Sequence, residues 1–152
     1  MNTALIPAII TIILDQFTKF YIEGHEALHN VTVIPGFFHI TFVRNTGMAW
    51  SLLSGQTGIL ALASAVAIGV MIWYLLTHKC STLTKISLGL MLGGAAGNMI
   101  DRLLIGNVRD FLDFYIFHYD FPVFNIADSA LTIGVILLIL ASIIDEKKKE
   151  KA

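Results

Sequence analysis

At 152 residues, 56% hydrophobic and only 14% charged, with a mean hydropathy of +0.76, the chain is too apolar for an ordinary soluble domain, where roughly a quarter of residues are charged. Its formal net charge of −1 gives no reason to expect nucleic acid as a partner. One cysteine, Cys80, excludes an internal disulfide framework and any multi-cysteine zinc site. The length suits one polytopic membrane domain over 1–152.

A membrane-spanning helix needs about 20 mostly apolar residues. The first candidate runs over 3–22. Its start is apolar and uncharged, like a secretory signal. However, no Lys or Arg precedes the apolar run, no small-x-small cleavage site follows, and Asp15 and Lys19 interrupt it. It reads as a retained helix in which Asp15 and Lys19, at i and i+4, can neutralise each other.

Next comes His25-Glu26-Ala27-Leu28-His29, a match to H-E-x-x-H. On a helix the two histidines would share a face and could hold zinc, with the glutamate as base. The context is poor: the motif follows Gly24 and runs at once into Asn30 and a predicted strand. No well-placed third ligand is evident, so a solvated loop is expected. Val31–Ile34 and Phe38–Val43 then flank Pro35-Gly36, which predicts a small β-hairpin.

The second span is 57–76 and the third 84–105. The third carries Gly93-Gly94-Ala95-Ala96-Gly97, a small-residue face that lets helices approach closely. The stretch Phe111 to Phe121 is dense in aromatics, as befits a membrane–water interface. The fourth span is 124–144. It ends in a tail with Lys147, Lys148, Lys149 and Lys151, expected to be solvated. Four such stretches in so short a chain argue against soluble core helices. The expected fold is an all-α integral membrane protein of four transmembrane helices, with a small extracytoplasmic β-hairpin or cradle and an interfacial aromatic-rich segment.

Lys79 and Lys85 lie between spans two and three, on the same side as the lysine tail. The excess of lysine predicts that both termini are cytoplasmic. Arg44 and Arg109 on the other side are a minority. In this topology Asp15, Lys19, Asn98, Asp101, Arg102, Asp110 and Asp128 all fall near the outer surface, while the inner halves of the spans are almost purely apolar. Ionisable residues in spans are costly and are functional candidates, so the convergence predicts a site at the outer interface. Duller roles exist for each residue. Asp101 and Arg102 could be interfacial anchors, Asp128 a favourable charge at a helix N-terminus, and Asp113 and Asp120 merely solvated.

Serine or cysteine chemistry is poorly supported. Cys80 is on the wrong side, Ser129 has no evident histidine base, and no G-x-S-x-G elbow is present. Carboxylates remain. Two close aspartates share one proton, so the ionised member can take a proton from water while the protonated one bonds the scissile carbonyl. Asp110, just after span three, and Asp128, opening span four, suit this by placement.

At these residues the chain resembles the lipoprotein signal peptidase family, also called signal peptidase II. The resembling segments are Asp15–Lys19 (DQFTK), Asn45–Trp50 (NTGMAW), Gly93–Arg102 (GGAAGNMIDR), Val108–Phe111 (VRDF) and Phe124–Ser129 (FNIADS). The resemblance implies an aspartic endopeptidase of the bacterial cytoplasmic membrane. It would remove the signal peptide from diacylglyceryl-modified prolipoproteins, cutting just before the lipidated cysteine. It implies Asp110 and Asp128 as catalytic residues and Asn45, Asn98, Arg102 and Asn125 as substrate-binding residues. Asp15, Lys19, Gly47, Gly97 and Ala127 would support them. It implies no metal or cofactor; the partners are the lipid-modified substrate and membrane lipid, with no obligatory protein partner. The family usually has an apolar residue before the first catalytic aspartate, where this chain has Arg109. Pointing to headgroups, Arg109 would change nothing; pointing inward, it would lower the pKa of Asp110. Two rival functions use parts of the same sequence: a zinc membrane peptidase with HEALH, and a proton-coupled carrier with Asp15, Lys19, Asp101 and Asp128 as a relay.

Overall fold

The computed structural model describes residues 2–48, 50, 52–117 and 119–149. Ala49 of the NTGMAW segment and Lys151 of the tail lie outside the described residues. Among the described residues, four helices are long and apolar enough to cross a membrane. They are α1 (Asn2–Glu23), α2 (Thr57–Thr77), α3 (Thr82–Ile105) and α4 (Ile126–Lys149). A four-stranded antiparallel sheet is built from the segments joining α1 to α2 and α3 to α4: β1 (Asn30–Ile34), β2 (Phe38–Asn45), β3 (Val108–Ile116) and β4 (Tyr119–Asp120), in that spatial order. The sheet therefore caps one end of the helical bundle.

Helix α3 is central. One stripe of α1 is buried: Ala4, Ala8, Thr11, Asp15, Lys19 and Ile22, residues three and four apart that share a helix face. Opposite it, α3 supplies glycines. A Cβ on Gly93 would lie 2.6 Å from Thr11 Cβ and 2.7 Å from Ala8 O, and one on Gly97 would lie 2.5 Å from Asp15 Oδ2. On its other flank, Gly94 meets Ala127 and Leu131 of α4, and Gly134 of α4 meets Met91 and Ser87. Small residues allow these near-backbone contacts, which association in lipid depends on. Helix α2 packs differently, through Met71 against Leu88 and Ala95, with Leu131 and Leu138 of α4 beside them. The outward faces of the helices expose Ile, Leu, Val and Phe, as a bilayer requires.

The hairpin forms at Pro35-Gly36. Gly36 takes φ 71°, a value that favours glycine, and Phe37 N–H donates to Ile34 O at 3.1 Å. The aromatic stretch goes further than an interfacial segment. It forms β3, which pairs with β2 from Asn45↔Val108 to Phe38↔Phe114. Strand formation buries Phe111 and also Asp113, which is 4% exposed and accepts from Thr41 Oγ1 at 2.5 Å. The expectation of a solvated Asp113 is thus corrected, while Asp120 is exposed. After β4 the chain returns beside β3, with Leu112 N–H donating to Phe124 O at 2.8 Å and Phe124 N–H to Leu112 O at 3.0 Å. This return delivers Asn125 and Asp128 to the sheet.

Candidate active site

Gly106 ends α3 in the left-handed conformation, φ 72°, and turns the chain directly into β3. Asp110 is thereby carried back over the end of the bundle. Its Oδ2 accepts from Asn45 Nδ2 at 2.9 Å and its Oδ1 from Asn125 Nδ2 at 2.6 Å. Asn45 is held in turn, because its Oδ1 accepts from Gly47 N–H at 2.9 Å.

Asp128 is fixed by the start of α4. Asn125 Oδ1 accepts from Asp128 N–H at 2.9 Å, and Asp128 Oδ2 accepts from Asn125 N–H at 3.2 Å. This reciprocal pair is a capping box, with Asn at the cap and Asp three residues on. Asp128 is thus both a helix-terminal charge and a cleft residue. Asn98 Nδ2 donates to its other oxygen at 2.7 Å. Asn125 touches both aspartates, so α4 and β3 are locked together at the site.

Asp110 and Asp128 share a cavity of about 420 Å³, also lined by Asn45, Gly47, Asn98 and Arg102. Arg102 Nη2 donates to Gly47 O at 3.1 Å. A Cβ on Gly47 would lie 2.6 Å from Leu52 O, so only glycine fits there. Trp50 and Phe121 line the mouth, where Trp50 Nε1 donates to Tyr119 OH at 2.9 Å.

Asp15, Lys19, Gly97 and Ala127 lie behind this cavity. Lys19 Nζ donates to Asp15 Oδ2 at 2.8 Å and Asn98 Oδ1 at 3.0 Å, and sits 3.4 Å from Asp101 Oδ2. Ala127 N–H donates to Asp15 Oδ1 at 3.0 Å. Asp101 is fully buried, which overturns its reading as an interfacial anchor. Burial of so many charges is tolerable only because each is paired. Gln16 was not singled out in the sequence, yet its Nε2 bonds Asp15, Gly97 O and Asp101 at 3.0–3.1 Å. A polar residue beside Asp15 in an apolar helix was the signal available.

Arg109 points inward, but away from Asp110. Burial works against its charge; Asp101 and Glu23 outweigh this, and its pKa lies above the usual arginine value. Asp110 is not lowered as expected for an inward arginine. Burial, then the charge of Asp128, push it up from 3.8 to about 7, against the bonds from Asn45 and Asn125. Between about pH 4 and 7 the folded chain holds a proton that the unfolded chain releases. Stability contributed by this group is therefore lost as pH rises through that window. Asp110→Asn is expected to flatten the fall in Tm between about pH 4 and 7. An unchanged pH slope in thermal melts would contradict the assignment.

The HEALH segment is neither a zinc helix nor a free loop. Glu26–Leu28 form a three-residue 3₁₀ turn. His25 Nδ1 donates to Tyr21 O at 2.7 Å, and His29 Nε2 to Ile22 O at 3.1 Å, so both rings cap the C-terminus of α1.

The signal peptidase (SPase) II family model matches residues 7–144. The chain belongs to the signal peptidase II family. It is thereby a membrane peptidase, and nothing in the comparisons supports the zinc or carrier readings. Similar proteins include lipoprotein signal peptidases of Syntrophus aciditrophicus, 44% identical over 97% of this chain and 95% of the relative, and of Staphylococcus carnosus, 43% identical over 99% and 96%. A solved bacterial membrane enzyme structure, obtained by the in meso method, superposes with TM-score 0.87 at 39% identity, covering 98% of this chain and 92% of that one. A second has TM-score 0.82 at 40% identity, over 93% and 92%.

Proposed function

We propose that this single-domain chain removes signal peptides from diacylglyceryl-modified prolipoproteins, cutting just before the lipidated cysteine, with Asp110 and Asp128 as an aspartic dyad. The observation that carries this reading is one cavity holding two carboxylates, Asp110 buried and Asp128 half-buried, each oriented by two donated hydrogen bonds. Near neutral pH the pair keeps one proton, on Asp110, the member that burial and its neighbour push up to about 7. Asp128 takes a proton from the attacking water while Asp110 donates its own to the scissile carbonyl oxygen. On collapse of the tetrahedral diol, Asp128 gives its proton to the leaving amine of the cysteine and Asp110 recovers one from the hydroxyl. Asn45, Asn98, Arg102 and Asn125 bind the substrate backbone and hold the carboxylates. Asp15, Lys19, Gly97 and Ala127 support them from behind, and Gly47 supports them from the cavity wall.

The chain sits in the bacterial cytoplasmic membrane with both termini in the cytoplasm and the cleft near the outer surface. The lysine bias supports this orientation: Lys79, Lys85, Lys147 and Lys148 belong to the end of the bundle away from the sheet. Arg109, at the other end, is consumed in buried ion pairs and does not weigh as a loop charge. The depth suits a substrate whose acyl chains lie in the outer leaflet. The cavity continues along Thr132 and Ile133 of α4, toward the lipid-facing surface.

The test is cleavage by the purified chain alone, in detergent with EDTA, of a diacylglyceryl-modified prolipoprotein and of its unmodified precursor. Cleavage of the modified protein only, with the product mass placing the cut before the cysteine, is expected. Loss of activity in EDTA, or equal cleavage of both precursors, would overturn the reading.

A further inference from the structure

Adjacent strand residues point to opposite faces of a sheet. Asp110 faces the cleft, so Arg109 faces the helices behind it. Arg109 is 3% exposed and its donors are engaged on several sides. Nη2 donates to Asp101 Oδ1 at 2.7 Å and Gln16 Oε1 at 3.1 Å, Nε to Asp101 Oδ2 at 3.2 Å, and Nη1 to Glu23 Oε2 at 3.0 Å. The guanidinium carbon lies 4.3 Å from the centroid of the Phe20 ring. The backbone N–H of residue 109 also donates to Asp101 Oδ2, at 3.0 Å. Asp101 therefore grips this residue by main chain and side chain together.

Asp101 lies three residues after Asn98 on α3, and Asn98 holds Asp128 directly. One turn of α3 thus locates both carboxylates, Asp128 through Asn98 and Asp110 through Arg109 and Asp101. Glu23 reinforces the arrangement by also accepting from Arg44, the cross-strand partner of Arg109, at 2.9 Å. Arg44 precedes Asn45 as Arg109 precedes Asp110.

We propose that Arg109 is a positioning residue, whose clamp on Asp101 sets strand β3 and so places the Asp110 carboxylate against Asp128. This rests on the dyad reading above. A planar fork suits the task, because its donors fix rotation as well as distance. Its charge is spent on Asp101 and Glu23, which leaves Asp110 protonatable. A buried ion pair adds little net stability over an apolar isostere, whereas a misplacement of about 1 Å at a reacting group can cost about 10²-fold in rate.

The test compares wild type, Asp110→Asn, Arg109→Met and Arg109→Lys for kcat, KM, pH profile and thermal melt on the lipid-modified precursor. Arg109→Met is expected to lose about 10²-fold in kcat with KM within about threefold, and to shift the alkaline limb of the pH profile. Arg109→Lys, which keeps the charge without the fork, should recover about half of that loss on a logarithmic scale. A folded Arg109→Met with wild-type kcat and pH limb, differing only in Tm, would overturn the clamp while leaving the dyad intact. If the methionine variant does not fold, the lysine variant decides by the same kcat and pH readouts. A wild type that does not cleave overturns both readings.

Discussion

Asp110→Asn and Asp128→Asn are each expected to abolish cleavage while the protein stays folded. Asparagine keeps the shape of the side chain but cannot exchange the proton that both halves of the reaction need. A loss on the order of 10⁴-fold or more in kcat follows. Stability behaves differently. Both oxygens of each aspartate accept an N–H, and an amide offers one oxygen, so each variant loses about one hydrogen bond, worth about 1 kcal/mol. Against that, neither variant can hold two like charges in the cleft, the unfavourable state that ionisation of Asp110 produces in the wild type. The melting temperatures should therefore stay within a few degrees of wild type. Activity within tenfold of wild type in either variant would show that the carboxylate is not part of the chemistry.

Lys19→Met is expected to have the largest effect on stability. Lys19 is fully buried between Asp15 and Asp101, and its removal leaves Asp15 without a cation. Breaking a buried pair from one side costs about 3–5 kcal/mol. In detergent this should appear as a fall in Tm on the order of 10 °C and a smaller yield from membranes. Adding Asp15→Asn should restore much of the loss, since the stranded charge goes with it. If Lys19→Met melts like wild type, or the double variant is no better than the single one, the ion network is not what holds α1 to α3.

Much of this molecule was legible because the bilayer simplifies the problem. Long apolar runs interrupted by Asp15, Lys19, Asp101 and Asp128 mark both the spans and the depth at which they carry polar groups. The Pro35-Gly36 turn marked a hairpin by local chemistry alone. Strand β3 was hidden for a physical reason. Its partner β2 is more than sixty residues away in sequence, and a run such as FLDFYIF has no clean alternation because both faces are partly buried. Missing that strand misassigned Asp113 and left Arg109 without its partners. The histidines of HEALH have a spacing that suits a zinc helix, but Gly24, the sign of poor context in the sequence, follows the end of α1 before they can share one. The proton-sharing pair was suggested by order along the chain. The capping box that links Asn125 to Asp128 could have been found there too, as an Asn three residues before an Asp at the head of an apolar run.

That capping box bears on the entropy of catalysis. A free aspartate on an open surface samples several rotamers and must be frozen when a substrate arrives. Asp128 cannot do so without breaking its bond to Asn125, the residue that caps its own helix. The loss of side-chain freedom is therefore incurred once, as the chain folds, and each substrate meets a carboxylate that is already still.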